Sequence, residues 1–172
     1  MIMEQIIASS EVGEFDCGDP DLNGFIMEDA VDYHNNQLAE SYLLKDGGKT
    51  VAYVTLLNDR VSVDSFDDKT SFNRFRRQHF EKSKRLKAYP AVKVGRLAVR
   101  NTLVRRGYGS ILLDFVKLLI ALKRFSGCRF MTVDAYDRAV SFYEKNGFVP
   151  IKKPSAEGKT CLMCYDLMSV TV

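Results

Sequence analysis

The fold of this chain is decided by one stretch, Leu97-Ala98-Val99-Arg100-Asn101-Thr102-Leu103-Val104-Arg105-Arg106-Gly107-Tyr108-Gly109-Ser110. Its apolar start predicts a strand, its two glycines predict a short loop, and the pattern from about Ser110 predicts a long helix. Such a loop turns unpaired backbone amides outward at the positive end of the helix dipole, which makes an anion site. Gly107 and Gly109 permit unusual φ angles and close approach of a bulky anion. Since Arg105 and Arg106 add charges suited to phosphate oxygens, the stretch predicts diphosphate binding.

A second informative stretch follows further along the chain, Ala139-Val140-Ser141-Phe142-Tyr143-Glu144-Lys145-Asn146-Gly147-Phe148. The first stretch does not identify the fold alone, because closely spaced glycines between a strand and a helix occur in several nucleotide-binding folds. The loop lacks the Lys-Ser/Thr ending of a P-loop, and it lacks the first glycine and the partner acid of a dinucleotide fingerprint. The choice among these nucleotide-binding folds therefore depends on the second stretch.

Together the two stretches resemble the GNAT superfamily of N-acetyltransferases. The acetyl-CoA loop of that superfamily has the form Gln/Arg-x-x-Gly-x-Gly/Ala, and a later helix often ends in Phe-Tyr-x-x-x-Gly-Phe. Val104 stands where the leading Gln or Arg is expected. Binding of the phosphates would therefore depend on backbone amides and on the two arginines. The resemblance implies one α/β domain over residues 1–172, with a mixed, mostly antiparallel central sheet flanked by helices. Its strands are expected to splay at the acetyl-CoA site.

The resemblance also assigns roles to individual residues. The backbone amides that would hold the pyrophosphate of coenzyme A belong to Arg105, Arg106, Gly107, Tyr108, Gly109 and Ser110. The strand residues that would offer backbone groups to the pantetheine arm are Leu97, Ala98 and Val99, next to a strand near 132–135. Tyr143 would protonate the departing thiolate as a general acid. A plain core role for Tyr143 in a short amphipathic helix stays open as the alternative.

The general base is left unassigned by the sequence. Direct attack on acetyl-CoA requires a neutral amine, yet the strand before the loop carries Lys93, Gly95 and Arg96 and no acid. Asp134 is a candidate on the next strand. A chain of water molecules, or an amine that is already poorly protonated, is an equal alternative.

The acceptor is open between two groups of amines. Residues 15–25 and 95–99 resemble a GNAT branch that includes bacterial toxins acetylating aminoacyl-tRNA, usually encoded beside a small DNA-binding antitoxin. Residues 74–87 carry seven bases and one acid, which suits RNA phosphates. Residues 1–40 carry ten acids and no Lys or Arg. The acidic helix at 22–35 would border the acceptor cleft and suits a polyamine, an aminoglycoside or a protein amine. We expect a general N-acetyltransferase, with the tRNA toxin and a non-catalytic acetyl-CoA sensor as alternatives, and with an antitoxin partner and a homodimer left open.

The composition of the chain limits the class of protein. With 172 residues and 46% hydrophobic residues, the chain can bury one sizeable core. No apolar run has the length of a membrane span and no signal-peptide pattern begins the chain, so a cytoplasmic protein is expected. Cys161 and Cys164 have metal-like spacing, but in a strand they would point to opposite faces with no second ligand pair. We expect no metal and reduced thiols.

The predicted elements alternate between strands and helices. A helix is expected from Leu22 to about Asn35, with Asp19 or Asp21 as its N-cap. A long basic connection is expected at about 58–91, with a short helix within 70–84. The helix from Ser110 to Phe125 shows one narrow polar stripe, formed by Asp114, Lys117, Ala121 and Arg124. The remaining predicted elements are an edge strand at 1–8, a hairpin at 41–57, strands at 92–99 and 129–136, a helix at 138–145 that Asp137 would cap, and a final hairpin at 148–167.

Overall fold

The computed structural model describes residues 1–80, 86–123, 126–154 and 159–170. Its strands are β1 (Ile2–Gln5), β2 (Glu40–Asp46), β3 (Lys49–Ser62), β4 (Ala88–Val99), β5 (Phe130–Tyr136), β6 (Val149–Lys152) and β7 (Thr160–Asp166). Its α-helices are α1 (Pro20–Gly24), α2 (Ala30–Asn35), α3 (Lys69–His79), α4 (Tyr108–Lys123) and α5 (Asp137–Lys145). A π-helical turn, Phe25–Asp29, joins α1 to α2, and 3₁₀ turns lie at Val63–Ser65, Asn101–Leu103 and Leu167–Ser169.

Hydrogen-bonded strands follow the order β1-β2-β3-β4-β5-β7-β6 in a seven-stranded sheet. Of the pairs with a defined register, only β4 with β5 is parallel, so the sheet is mixed and mostly antiparallel as expected. The chain divides into two compact units, and β3 and β4 each run through both. Unit 1 comprises Met1–Leu57 and Val94–Val116, and unit 2 comprises Asn58–Lys93 and Lys117–Val172.

Unit 1 is built on the antiparallel strands β1, β2 and β3. The turn between β2 and β3 places Gly47 and Gly48 at φ +55° and +77°, a conformation that glycine adopts at little cost. Asp19 caps α1 as predicted, since its carboxylate accepts bonds from the amides of Asp21 and Leu22. Apolar side chains of the helical segment and of the strands bury each other in the core of this unit: Ile6, Phe15, Phe25, Ile26, Ala30, Leu43, Tyr53 and Ala98.

Unit 2 contains an aromatic core around α3. Asp68 caps this helix by accepting the Ser71 amide at 2.7 Å, and the helix then presents Phe72 and Phe75 to the core. The core residues are Val61, Phe66, Phe72, Phe75, Tyr89, Ala91, Phe130 and Cys164. The parallel register of β4 and β5 spans three pairs and ends at Lys93 and Thr132, where the sequence predicts an opening between strands.

Several boundaries differ from the sequence prediction. Because β3 continues to Ser62 and β4 begins at Ala88, the predicted connection at 58–91 is shorter, and α3 lies within it. The helix predicted from Ser110 begins at Tyr108, and Asp137 is the first residue of α5 rather than its cap. The predicted helix residues beyond 80, the bases at 82, 84 and 85, and the helix end at 124–125 lie outside the described residues. The single-domain boundary stays a prediction.

Candidate active site

The phosphate loop, which we define as residues 104–110, belongs to unit 1. Gly107 lies at φ +87°, and a Cβ there would meet no atom within 4 Å. Gly109, in contrast, lies inside α4 and has an ordinary φ, so its predicted unusual conformation is wrong. Arg105 instead takes the second left-handed position, with φ +62°. An arginine in that region costs about 1–2 kcal/mol, so this part of the loop is strained.

Helix α4 begins directly at this loop. The amide of Ile111 donates to the carbonyl of Gly107 at 3.0 Å, which closes the first turn. The amides of Tyr108, Gly109 and Ser110 precede that bond and therefore have no acceptor within the helix. They lie at the positive end of the helix dipole, beside the exposed residues Arg105 and Arg106. This arrangement suits an anion with several oxygens, as the sequence predicts.

The loop is anchored at its entry by the N-terminal segment of unit 1. Asn101 donates from its backbone to the Asp16 carbonyl at 2.9 Å, and from its side chain to the Asp16 carboxylate at 2.8 Å. The amide of Gly18 and the side chain of Asn23 also donate to that carboxylate, and together they hold the pKa of Asp16 below its ordinary value. Arg100 reaches the Glu14 carbonyl at 2.7 Å. These anchors have no motif in the sequence, because they join residues far apart in the chain.

The strand before the loop, β4, buries some of its residues in the core of unit 1 and leaves others partly exposed. Ala98 is buried in the unit 1 core, whereas Leu97 and Val99 are only partly buried. Arg96 lies on the core side, with its guanidinium 3.7 Å from the Phe25 ring centroid. A Cβ at Gly95 would meet Cδ1 of Leu57, so the Leu57 side chain would have to move to admit one. The binding of pantetheine by Leu97, Ala98 and Val99 stays a prediction.

Tyr143 lies on α5 in unit 2 and is 6% exposed. Its ring packs edge-on against Phe142 and Phe148, at centroid distances of 5.1 and 5.4 Å. Burial raises the pKa of the Tyr143 phenol, so the hydroxyl stays protonated at neutral pH. The structure shows that Tyr143 is a core residue of α5, and its role as a general acid stays a prediction.

Asp134, the candidate base on β5, forms an ion pair. Its carboxylate is 2.6 Å from the Lys93 ammonium, and the two side chains are 48% and 30% exposed. On the same strand Thr132 donates to the Asp59 carboxylate, a contact that the sequence does not signal. The base remains unassigned.

The two cysteines with metal-like spacing are core residues of unit 2. Cys161 and Cys164 are buried in β7, and burial raises the pKa of both thiols. Within residues 1–80, 86–123, 126–154 and 159–170, no group of three potential metal ligands is found. In the same ranges, each helix is too short or too polar to cross a membrane.

The sequence profile of the acetyltransferase (GNAT) domain matches residues 38–150. That span covers most of the chain and includes both the phosphate loop and Tyr143. The chain therefore belongs to the GNAT acetyltransferase family, and it is an N-acetyltransferase that uses acetyl-CoA as its cosubstrate. The alternative of a non-catalytic sensor is not retained. A search of curated protein sequences gives no significant match.

Solved structures with a similar fold include bacterial toxins. A tyrosine-to-phenylalanine mutant of KacT aligns with a TM-score of 0.76 and 23% identity, over 98% of this chain and 95% of KacT. AtaT complexed with acetyl-methionyl-tRNAfMet aligns with a TM-score of 0.73 and 22% identity, over 94% and 92% of the two chains. An AtaT mutant toxin bound to acetyl-CoA and the C-terminus of the antitoxin AtaR aligns with a TM-score of 0.73 and 21% identity, over 98% and 94%. At these identities the likeness shows a shared fold.

Proposed function

We propose that the enzyme transfers the acetyl group of acetyl-CoA directly to a primary amine, with Tyr143 as the general acid. The amine nitrogen bonds to the thioester carbonyl carbon, and the carbon–sulfur bond breaks. The departing coenzyme A thiolate takes a proton from the phenol of Tyr143. The proton that the nitrogen loses passes to solvent water, and solvent returns one proton to the Tyr143 phenolate. The observation that carries this proposal is the burial of Tyr143, which is 6% exposed and whose phenol keeps its proton at neutral pH because burial raises its pKa.

The phosphate loop supplies binding in this proposal. Amides from Arg105 to Ser110 hold the pyrophosphate, and the backbone of residues 97–99 lies along the pantetheine arm. Support comes from the orphan amides at the start of α4 and from the open space at Gly107. Binding by amides does not depend on side-chain chemistry, which is why Val104 is compatible with it.

The test replaces Tyr143 with phenylalanine. Removal of the proton donor is expected to lower kcat about 10²–10⁴-fold, while calorimetry shows unchanged affinity for coenzyme A. Transfer is measured to spermidine, an aminoglycoside, a lysine peptide and methionyl-tRNA. Tyr42→Phe is the matched control, because the pKa of Tyr42 is also raised by burial but this residue lies on β2. An unchanged kcat in the Tyr143 variant would exclude the general-acid role.

Aminoacyl-tRNA is the second candidate acceptor. Helix α3 presents the exposed bases Arg74 and Arg77 and contains no acid, and this charge suits RNA phosphates. The amine of an aminoacyl ester also has a lowered pKa, which suits an enzyme without an assigned base. Under this proposal an antitoxin would be the natural partner. Acetylation of methionyl-tRNA in preference to the small amines, weakened by Arg74→Glu with Arg77→Glu, would select it.

A further inference from the structure

Lys117 is the one lysine or arginine that is buried among the described residues, with 6% of its surface exposed. A buried ammonium requires compensation, since it has left water. In unit 2 its Nζ donates to the carbonyl of Asn146 at 2.8 Å. The same Nζ lies 4.4 Å from the Tyr165 ring centroid and 5.8 Å from that of Phe148. The ammonium thus binds one carbonyl and lies near two aromatic rings.

The carbonyl that Lys117 binds belongs to the residue that ends α5. Asn146 is the C-cap of that helix, and its amide donates to the Tyr143 carbonyl at 3.0 Å. The amide of Phe148 donates to the same Tyr143 carbonyl, also at 3.0 Å. A cation at this position is favourable because the carbonyl end of a helix is electronegative. Lys117 therefore fixes the turn that contains the Tyr143 backbone.

Lys117 also lies near Phe148, the residue against which the Tyr143 ring packs. Phe148 is 2% exposed and packs edge-on against Tyr143, while its own ring lies near the Lys117 ammonium. Lys117 is thus linked to the Tyr143 backbone through Asn146 and to the Tyr143 ring through Phe148. Displacement of a proton donor by a fraction of an ångström is enough to slow proton transfer.

We propose that Lys117 is a positioning residue, which holds the α5 turn so that the Tyr143 phenol stays aligned for proton transfer. The inference rests on the proposed general-acid role of Tyr143. It assigns a task to a buried charge that neither the phosphate loop nor the proposed chemistry uses. A methionine at position 117 keeps most of the apolar volume but loses the charge and the hydrogen bond.

A double-mutant cycle tests this inference. Lys117→Met is expected to lower kcat at least about tenfold, with the KM for acetyl-CoA within twofold of the wild type. In the Tyr143→Phe background the same change is expected to have no further effect on kcat, because Lys117 acts through Tyr143. Lys117→Arg restores a charged donor and is expected to recover part of the loss. Lys145→Met is the control, since Lys145 is an exposed lysine of the last turn of α5.

Fluorine NMR separates this inference from the proposed function. In protein labelled with 3-fluorotyrosine, the Tyr143 resonance is assigned by its absence in Tyr143→Phe, and it is expected to shift in Lys117→Met but not in Lys145→Met. Thermal melting checks folding, and Lys117→Gln replaces Lys117→Met if the latter is unfolded. Equal loss of kcat in both backgrounds, or an unmoved resonance with an unchanged kcat, would overturn the inference. If Tyr143→Phe keeps full turnover, the general-acid proposal fails, and the resonance still reports whether Lys117 places the ring.

Discussion

The phosphate loop and the α5 turn, which comprises Tyr143–Phe148, each contain a glycine in the left-handed region. Gly107 in the loop has φ +87° and Gly147 in the turn has φ +82°. A Cβ on Gly107 would meet open space, whereas a Cβ on Gly147 would lie 3.0 Å from Cε2 of Tyr165. The comparison teaches that the loop leaves open space beside Gly107, which the proposed binding of coenzyme A by its backbone requires. The α5 turn is shaped for its side chains to pack against the protein.

The largest stability effect is expected for Gly147→Ala. Left-handed strain and the contact with Tyr165 together are expected to cost about 2–3 kcal/mol of unfolding free energy. Gly107→Ala introduces only the left-handed strain and is expected to lower the unfolding free energy by about 1–2 kcal/mol. It is also expected to weaken coenzyme A binding. Urea unfolding measures the first quantity and calorimetry the second. Equal destabilisation by the two changes would mean that the Tyr165 contact relaxes without cost.

An intermediate effect is expected where the loop itself is strained. Arg105→Gly is expected to raise the unfolding free energy relative to Arg106→Gly by about 1 kcal/mol, since only Arg105 has a positive φ. Both variants lose a charge and are expected to bind coenzyme A several-fold more weakly, with the difference reduced by added salt. Equal unfolding free energies for the two variants would contradict the assigned strain.

The smallest effect is expected for Val104→Gln. Val104 is 52% exposed and stands where the family carries a polar residue. An added amide is expected to tighten coenzyme A binding about two- to threefold, which is the scale of one solvent-exposed hydrogen bond. Calorimetry measures the change. A gain of tenfold or more would show that side chains, rather than backbone amides, dominate the grip of the loop.

Local features were predicted well because they depend on neighbouring residues. The Asp19 cap and the turn at Gly47 and Gly48 follow from sequence and appear in the structure. Two residues show where such prediction fails. The sequence places Lys117 on a polar stripe of α4, yet it is buried, while Ile111, Leu118 and Leu122 are exposed on that helix. Nothing in the sequence indicates a packing role for His79, but its ring centroid lies 4.2 Å from that of Phe75.

The sequence alone determined the family and the cosubstrate. It also predicted the phosphate loop, since the anion site expected of a glycine loop before a helix follows from local geometry. Tertiary structure decided what each side chain does. Periodicity shows which residues share a face of a helix, but only packing shows whether water, an aromatic ring or a carbonyl meets that face. For this reason Lys117 looks like a surface charge in the sequence and becomes, in the fold, the charge that binds the end of α5.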